Sequence, residues 1–221
     1  MTPLSRTALL LAPLLLVACA KKEPDTSAPA TLPTPAPVAA PSAPEPAEQS
    51  AEQRAQEEKK RALEYATMED QYINDPRAQW ASSATASSTF GEPDPADSNL
   101  PKNAIGKVDD KDWNNNNQSI GFDWIELGYE KPVSATEVRL VVPDGEGVDT
   151  ISKVELQDTE GKWNVIWSGV PEMKRDERGP RTWYVRSFEK TPYKVKAVKY
   201  TIANNLRHGY KKVDAAQLIG D

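Results

Sequence analysis

Cysteine and histidine each occur once in these 221 residues, as Cys19 and His208. A single cysteine forbids an internal disulfide, so the folded part has to rely on its core. A single histidine and no second thiol leave little for nucleophilic catalysis, which needs a base within hydrogen-bond reach of the attacking group. The serine-rich run ASSATASS reads as a strand exposed on one face, not as an activated nucleophile. A glycosidase would need two carboxylates about 5 to 10 Å apart across a cleft, and nothing singles out such a pair among the 33 acids. The chain therefore reads as non-enzymatic. Positive charge is also short: 27 Lys and Arg against 33 Asp and Glu give a net charge of −6. Nucleic acid, which requires a clustered cationic face, is disfavoured as a partner. Only the extreme N-terminus is strongly apolar, and no later run approaches the ~18 residues of a spanning helix.

That N-terminal run has export-signal form. Arg6 supplies the positive flank and Ala8 to Val17 the apolar stretch, too short to span a bilayer. Leu16-Val17-Ala18-Cys19 closes it and resembles the lipobox of bacterial lipoproteins. The resemblance implies cleavage after Ala18, acylation of Cys19 and a mature chain beginning there, with residues 1–18 as signal peptide. Each buried acyl methylene contributes about 0.8 kcal/mol, so several chains anchor a protein firmly. Ala20 and Lys21 follow the cysteine where an aspartate is the usual inner-membrane retention signal. The expected location is the outer membrane, on the periplasmic face or the cell surface.

Residues 19–49 form a Pro/Ala-rich tether. Eight prolines fall between Ala20 and Pro46, with almost nothing large enough to bury. Such sequence favours extended polyproline conformations at about 3.1 Å per residue, a reach of up to ~80 Å. Residues 50–75 then read as a helical segment. Ser50 and Gln53 have capping-box spacing, strong helix formers run to Ile73, and Asn74-Asp75-Pro76 stops the helix. Its apolar stripe of Ala51, Ala55, Ala62, Ala66, Leu63 and Ile73 is thin, so the helix either packs on the folded domain or stands in solvent as a stalk.

From residue 77 to 221 the helical period gives way to short alternating segments. Strands are expected over residues 79–90, 123–129, 135–142, 151–158, 162–168, 183–188, 196–203 and 213–219. Val138, Leu140 and Val142 alternate with Glu137, Arg139 and Val141, which predicts one buried face. Asp158 to Gly161 has the form of a hairpin loop. About eight strands of this kind fit an all-β fold, a two-sheet antiparallel β-sandwich.

ASSATASSTFG (Ala81 to Gly91), NAIGKVDDKDW (Asn103 to Trp113), WIELGYEKPVSATEVRLVV (Trp124 to Val142), KVELQDTEGKWNVIWSG (Lys153 to Gly169), VKAVKYTI (Val195 to Ile202) and DAAQLIG (Asp214 to Gly220) occur in the order of a discoidin-like domain. The segment resembles this coagulation-factor C-type, galactose-binding-like jelly roll. The resemblance implies a sandwich that presents loops at one end to carbohydrates, lipids or proteins, and that binds rather than catalyses. It also implies a structural calcium near an Ala-Ile/Phe-Asp-Gly turn. Here Gly106 follows Ala104-Ile105, so Asp109 and Asp214 are the carboxylates left to hold such an ion. Calcium takes six or more oxygen ligands.

The long polar loop from Asp109 to Gly121 carries Trp113 and the run Asn114, Asn115, Asn116 and Asn117. An indole face can stack on sugar C–H groups while amides bond to hydroxyls, so these five residues suit a saccharide. Trp113 is equally open to a second role, as an aromatic capping the core. The loop from Asn204 to Lys212 concentrates Arg207, His208, Lys211 and Lys212 with Tyr210. Of these, Arg207, His208 and Tyr210 suit contact with a glycan or acidic polymer. Met173 to Arg181 carries charge of both signs and reads as solvated. Trp80, Trp124, Trp163, Trp167 and Trp183 read as core or sheet-surface residues. The partner expected from all this is a membrane, through the lipid, and a carbohydrate or other cell-envelope polymer. The alternative is a structural lipoprotein whose sandwich and helix dock a periplasmic protein.

Overall fold

The computed structural model describes residues 50–91 and 99–221. The signal segment, Cys19 and the tether expected over residues 1–49 lie outside the described residues, as do residues 92–98.

Helix α1 (Ala51–Ile73) begins at a complete capping box. Gln53 N donates to Ser50 Oγ at 3.2 Å, and Ser50 N donates to Gln53 Oε1 at 2.9 Å. Two of the amides that a helix start leaves unpaired are thus satisfied locally. The first 14 residues of the helix are all exposed. From Tyr65 onward it lies against a sheet.

Eleven strands follow: β1 (Ala78–Trp80), β2 (Ser83–Ala86), β3 (Trp113–Asn114), β4 (Phe122–Val133), β5 (Ala135–Pro143), β6 (Ile151–Asp158), β7 (Trp163–Ser168), β8 (Arg181–Ser187), β9 (Val195–Ala203), β10 (Lys212–Val213) and β11 (Ala215–Gly220). They make a four-stranded sheet in the order β1-β11-β5-β8, a five-stranded sheet in the order β2-β4-β9-β6-β7, and a small β10-β3 ribbon. Every pairing is antiparallel. The segment expected as one strand over residues 79–90 is divided between the two sheets. Ala81 N donates to Ala216 O in one, and the next amide, Ser82 N, donates to Gly128 O in the other. The chain changes sheets within one peptide, and this closes that edge of the sandwich.

The core lies between the sheets. Ile125 and Leu127 of β4, Val154 and Leu156 of β6, and Val198 and Tyr200 of β9 face Val138, Leu140 and Val142 of β5 and Ala216 and Leu218 of β11. Alternation in these strands is the period-two signature of one face turned inward.

For β5 the one-face expectation fails, because its second face is buried as well. Val141, Trp183 and Ala215 form a separate apolar cluster on the outside of the four-stranded sheet, covered by Met68, Tyr72 and Ile73 of α1. Polar contacts fix the helix there. Arg139 donates to Asp75 Oδ2 at 2.9 Å, Gln217 Nε2 to Tyr72 O at 2.8 Å, and Arg181 Nη1 to Glu69 Oε1 at 3.0 Å. The Tyr65 hydroxyl donates to Arg181 O at 2.9 Å. The helix is neither a free stalk nor a lightly packed one: its C-terminal half is docked, and its N-terminal half projects. Among the described residues no helix is long and apolar enough to cross a membrane.

Candidate functional site

Three loops meet where β4 starts and β2 and β9 finish. Ser87 N donates to Trp124 O at 3.0 Å, Asn204 N to Gly121 O at 2.9 Å, and Asn115 N to Lys211 O at 3.1 Å. Segments 87–91, 115–121 and 204–211 thereby share one end of the sandwich.

A buried polar cluster holds them together. The Asp123 carboxylate is almost wholly enclosed and accepts hydrogen bonds from Ser87 Oγ at 2.7 Å, Asn115 Nδ2 at 2.8 Å and Asn204 Nδ2 at 3.0 Å. Burial pushes its pKa upward, and the hydrogen bonds from Ser87, Asn115 and Asn204 outweigh burial, so the group stays below the usual aspartate range. Asn117 Nδ2 reaches the same carboxylate at 3.2 Å. Asn115 Oδ1 accepts from Lys211 N at 2.8 Å.

This arrangement corrects three of the residues assigned to the ligand. Trp113 has no exposed surface, and its indole N–H donates to Ser88 O at 3.0 Å. It is the core-capping aromatic, and its face cannot meet a sugar. Asn114 is buried with its amide turned to Asp112 Oδ1 at 2.8 Å. Asn115 is fully enclosed, its amide committed to Asp123 and Asn204. Both hold the fold together, Asn114 in β3 and Asn115 in the loop that follows it. The other assigned residues meet solvent. Asn116, Asn117 and His208 line one shallow cleft of about 360 Å³ with Gln118, Ser119 and Ile120. Arg207 is exposed and paired with Asp149 at 3.1 Å. Tyr210 is half-buried and stacks obliquely on Phe90, with ring centroids 4.4 Å apart.

Phe90 is the aromatic that the sequence reading missed. It is 40% exposed, and its amide donates to Asn114 O at 2.9 Å. Lys211, one of the cations concentrated in the 204–212 loop, is only 1% exposed. Lys212 is drawn aside by Glu146 at 3.4 Å. Around the cleft stand Ile120, 79% exposed, Phe122, 67%, and Leu206, 52%.

The pair assigned to calcium does not converge. Asp109 presents its backbone N–H, not its carboxylate, to Asp214 Oδ1, at 3.2 Å. The Asp109 side chain turns to solvent and takes the Lys111 ammonium at 2.9 Å. Asp214 Oδ2 is buried without a hydrogen-bond partner, and burial raises the carboxyl to about pKa 6. Calcium takes six or more oxygens, and of this pair only Asp214 turns its carboxylate inward. No cluster of three or more His, Cys, Asp or Glu able to hold a metal occurs among the described residues.

No protein-family model matches the chain, and no curated protein does. Solved structures similar to it include carbohydrate-binding modules. Chitosan-binding module 1 from a chitosanase/glucanase of Paenibacillus sp. IK-5 is 14% identical, covering 62% of this chain and 94% of that one, with a TM-score of 0.46. The CBM32 module of AlyQ, in complex with 4,5-unsaturated mannuronic acid, is 16% identical over 65% of this chain and 99% of that one, TM-score 0.48. A Clostridium perfringens CBM32 module in complex with GalNAc-beta-1,3-galactose is 15% identical over 67% and 99%, TM-score 0.47. Identities this low carry no ligand from one chain to another.

Proposed function

We propose that this chain is a non-catalytic binding protein for carbohydrate of the cell envelope, held to the outer membrane by acyl chains on Cys19. The ligand site is the loop-bearing end of the sandwich. One observation carries this reading: an aromatic pair, the exposed Phe90 and the half-buried Tyr210, stands at the same end of the sandwich as a shallow cleft lined by Asn116, Asn117 and His208. A ring offers its face to the apolar side of a sugar, while amides and an imidazole exchange hydrogen bonds with hydroxyls. A shallow, polar, solvent-open cleft suits a weakly held segment of polymer better than an enclosed small molecule. The Asp123 cluster beneath it keeps the loops in register, so little ordering has to accompany binding.

The test is a screen of the full chain against polysaccharide and peptidoglycan fragments, with and without chelator. Binding that survives chelation supports the reading. Failure to bind any of them removes it.

A second reading, docking of a periplasmic protein, is favoured by a different feature. Ile120, Phe122 and Leu206 leave large apolar side chains exposed on neighbouring segments at this same end. Exposed apolar patches mark protein contacts. The docked half of α1 is already used within the chain, so this partner would meet the loops and not Met68, Tyr72 or Ile73. Loss of a pulled-down envelope protein in Phe122→Ser, with glycan binding intact, would favour it.

A further inference from the structure

The Lys211 side chain ends in a cage made entirely of main-chain oxygens. Its ammonium donates to Gln118 O at 2.6 Å, Arg207 O at 2.7 Å, Gly209 O at 2.7 Å and Asn204 O at 3.2 Å. One acceptor comes from the 115–121 loop and three from the 204–211 loop. Among the described residues no carboxylate lies within ion-pair distance, and Asp123 and Asp149 act on it only through space. The stem reaches the cage past Gly147, whose φ is +100°, and a Cβ there would stand 2.5 Å from Lys211 Cγ. The slot is built for this side chain.

A buried charge is tolerated only when it is fully hydrogen-bonded, and carbonyls turned inward need a donor or a cation between them. An ammonium supplies three strong charge-assisted bonds, here matched by the short contacts to Gln118, Arg207 and Gly209, with the longer Asn204 contact sharing a proton. Both requirements are met by the same group, which is why a lysine can be enclosed here at all.

We propose that the Lys211 ammonium is a built-in cation that positions the loops 115–121 and 204–211. The cage is a property of the loops themselves. Only its consequence for ligand affinity rests on the function proposed above.

The test uses the full chain and three observations. Lys211→Met keeps an unbranched stem and removes the charge. Amide hydrogen exchange should then quicken at least tenfold in both loops and stay unchanged in β5 and β8. Lys211→Ala should regain protection on titration with propylammonium, in a saturable way that propanol or matched sodium chloride does not reproduce. In the wild-type chain, the Lys211 ammonium protons should exchange slowly enough to give an NMR signal of their own, unlike those of exposed lysines. This last observation decides the matter if neither variant folds. A Lys211→Met chain with wild-type loop protection, no response to propylammonium, or a freely exchanging Lys211 amine would overturn the proposal. Loosened loops in a chain that binds no glycan would uphold the cage and remove only the proposed ligand.

Discussion

The backbone amide of Asp109 is bonded to the buried carboxylate of Asp214, 3.2 Å away, across 105 positions of sequence. The loop that was expected to help hold a metal is fastened instead to a titrating acid. Burial lifts the folded-state pKa of Asp214 from 3.8 to about 6. The folded chain thus binds the proton more tightly than the unfolded one, and the sign follows: this group's contribution is fully present below about pH 4 and is lost as pH rises through 6. Asp214→Asn should therefore be more stable than the wild type at pH 7.5, by up to about 3 kcal/mol, with the advantage gone at pH 4. Urea denaturation of both chains at the two pH values measures it.

The docked half of α1 should behave as part of the domain. The Tyr65 ring packs so closely on Gly179 that a Cβ there would come within 2.3 Å of it. Tyr65→Ala leaves that space empty and Arg181 O without its donor. The expected cost is about 3 kcal/mol, read as a lowered Tm together with new proteolytic cleavage between Tyr65 and Ile73. A helix that merely hung in solvent would show neither.

Trp113 and Phe90 should separate stability from binding. Trp113→Ala empties a fully enclosed site and should cost about 4 kcal/mol. Phe90→Ala removes a ring already 40% exposed and should cost about 1 kcal/mol or less. Thermal denaturation of the two variants checks the contrast.

Cys19→Ala should release the chain from the envelope, since acyl chains on that thiol are the proposed anchor. Fractionation that leaves the variant in the membrane pellet would contradict the anchor without touching the loop site.

What could be read from the sequence is what local pattern controls. The alternation of Val138, Leu140 and Val142 marks the face of β5 that enters the core, and Ser50 and Gln53 mark the start of α1. The hidden parts depend on residues far apart in the chain. Val141 and Arg139 look like the solvent side of β5 until Tyr72 and Asp75 cover them. Asn115 and Asn116 are adjacent and alike in kind. One faces Asp123 and Asn204 and the other faces water, a difference set by a side chain 89 positions away. Lys211 reads as one cation among several because four backbone oxygens leave no trace in side-chain composition. Phe90 closes a serine-rich run, and only its meeting with Tyr210 gives it a role.

The most direct test of the account is calorimetric titration of an envelope polysaccharide that the screen identifies into wild-type, Phe90→Ala and Tyr210→Ala chains. A site built on the ring pair predicts at least a tenfold weaker affinity in each variant, about 1.4 kcal/mol, with only a small fall in Tm for Phe90→Ala. Wild-type affinity in both variants would contradict a ligand site at this end of the sandwich.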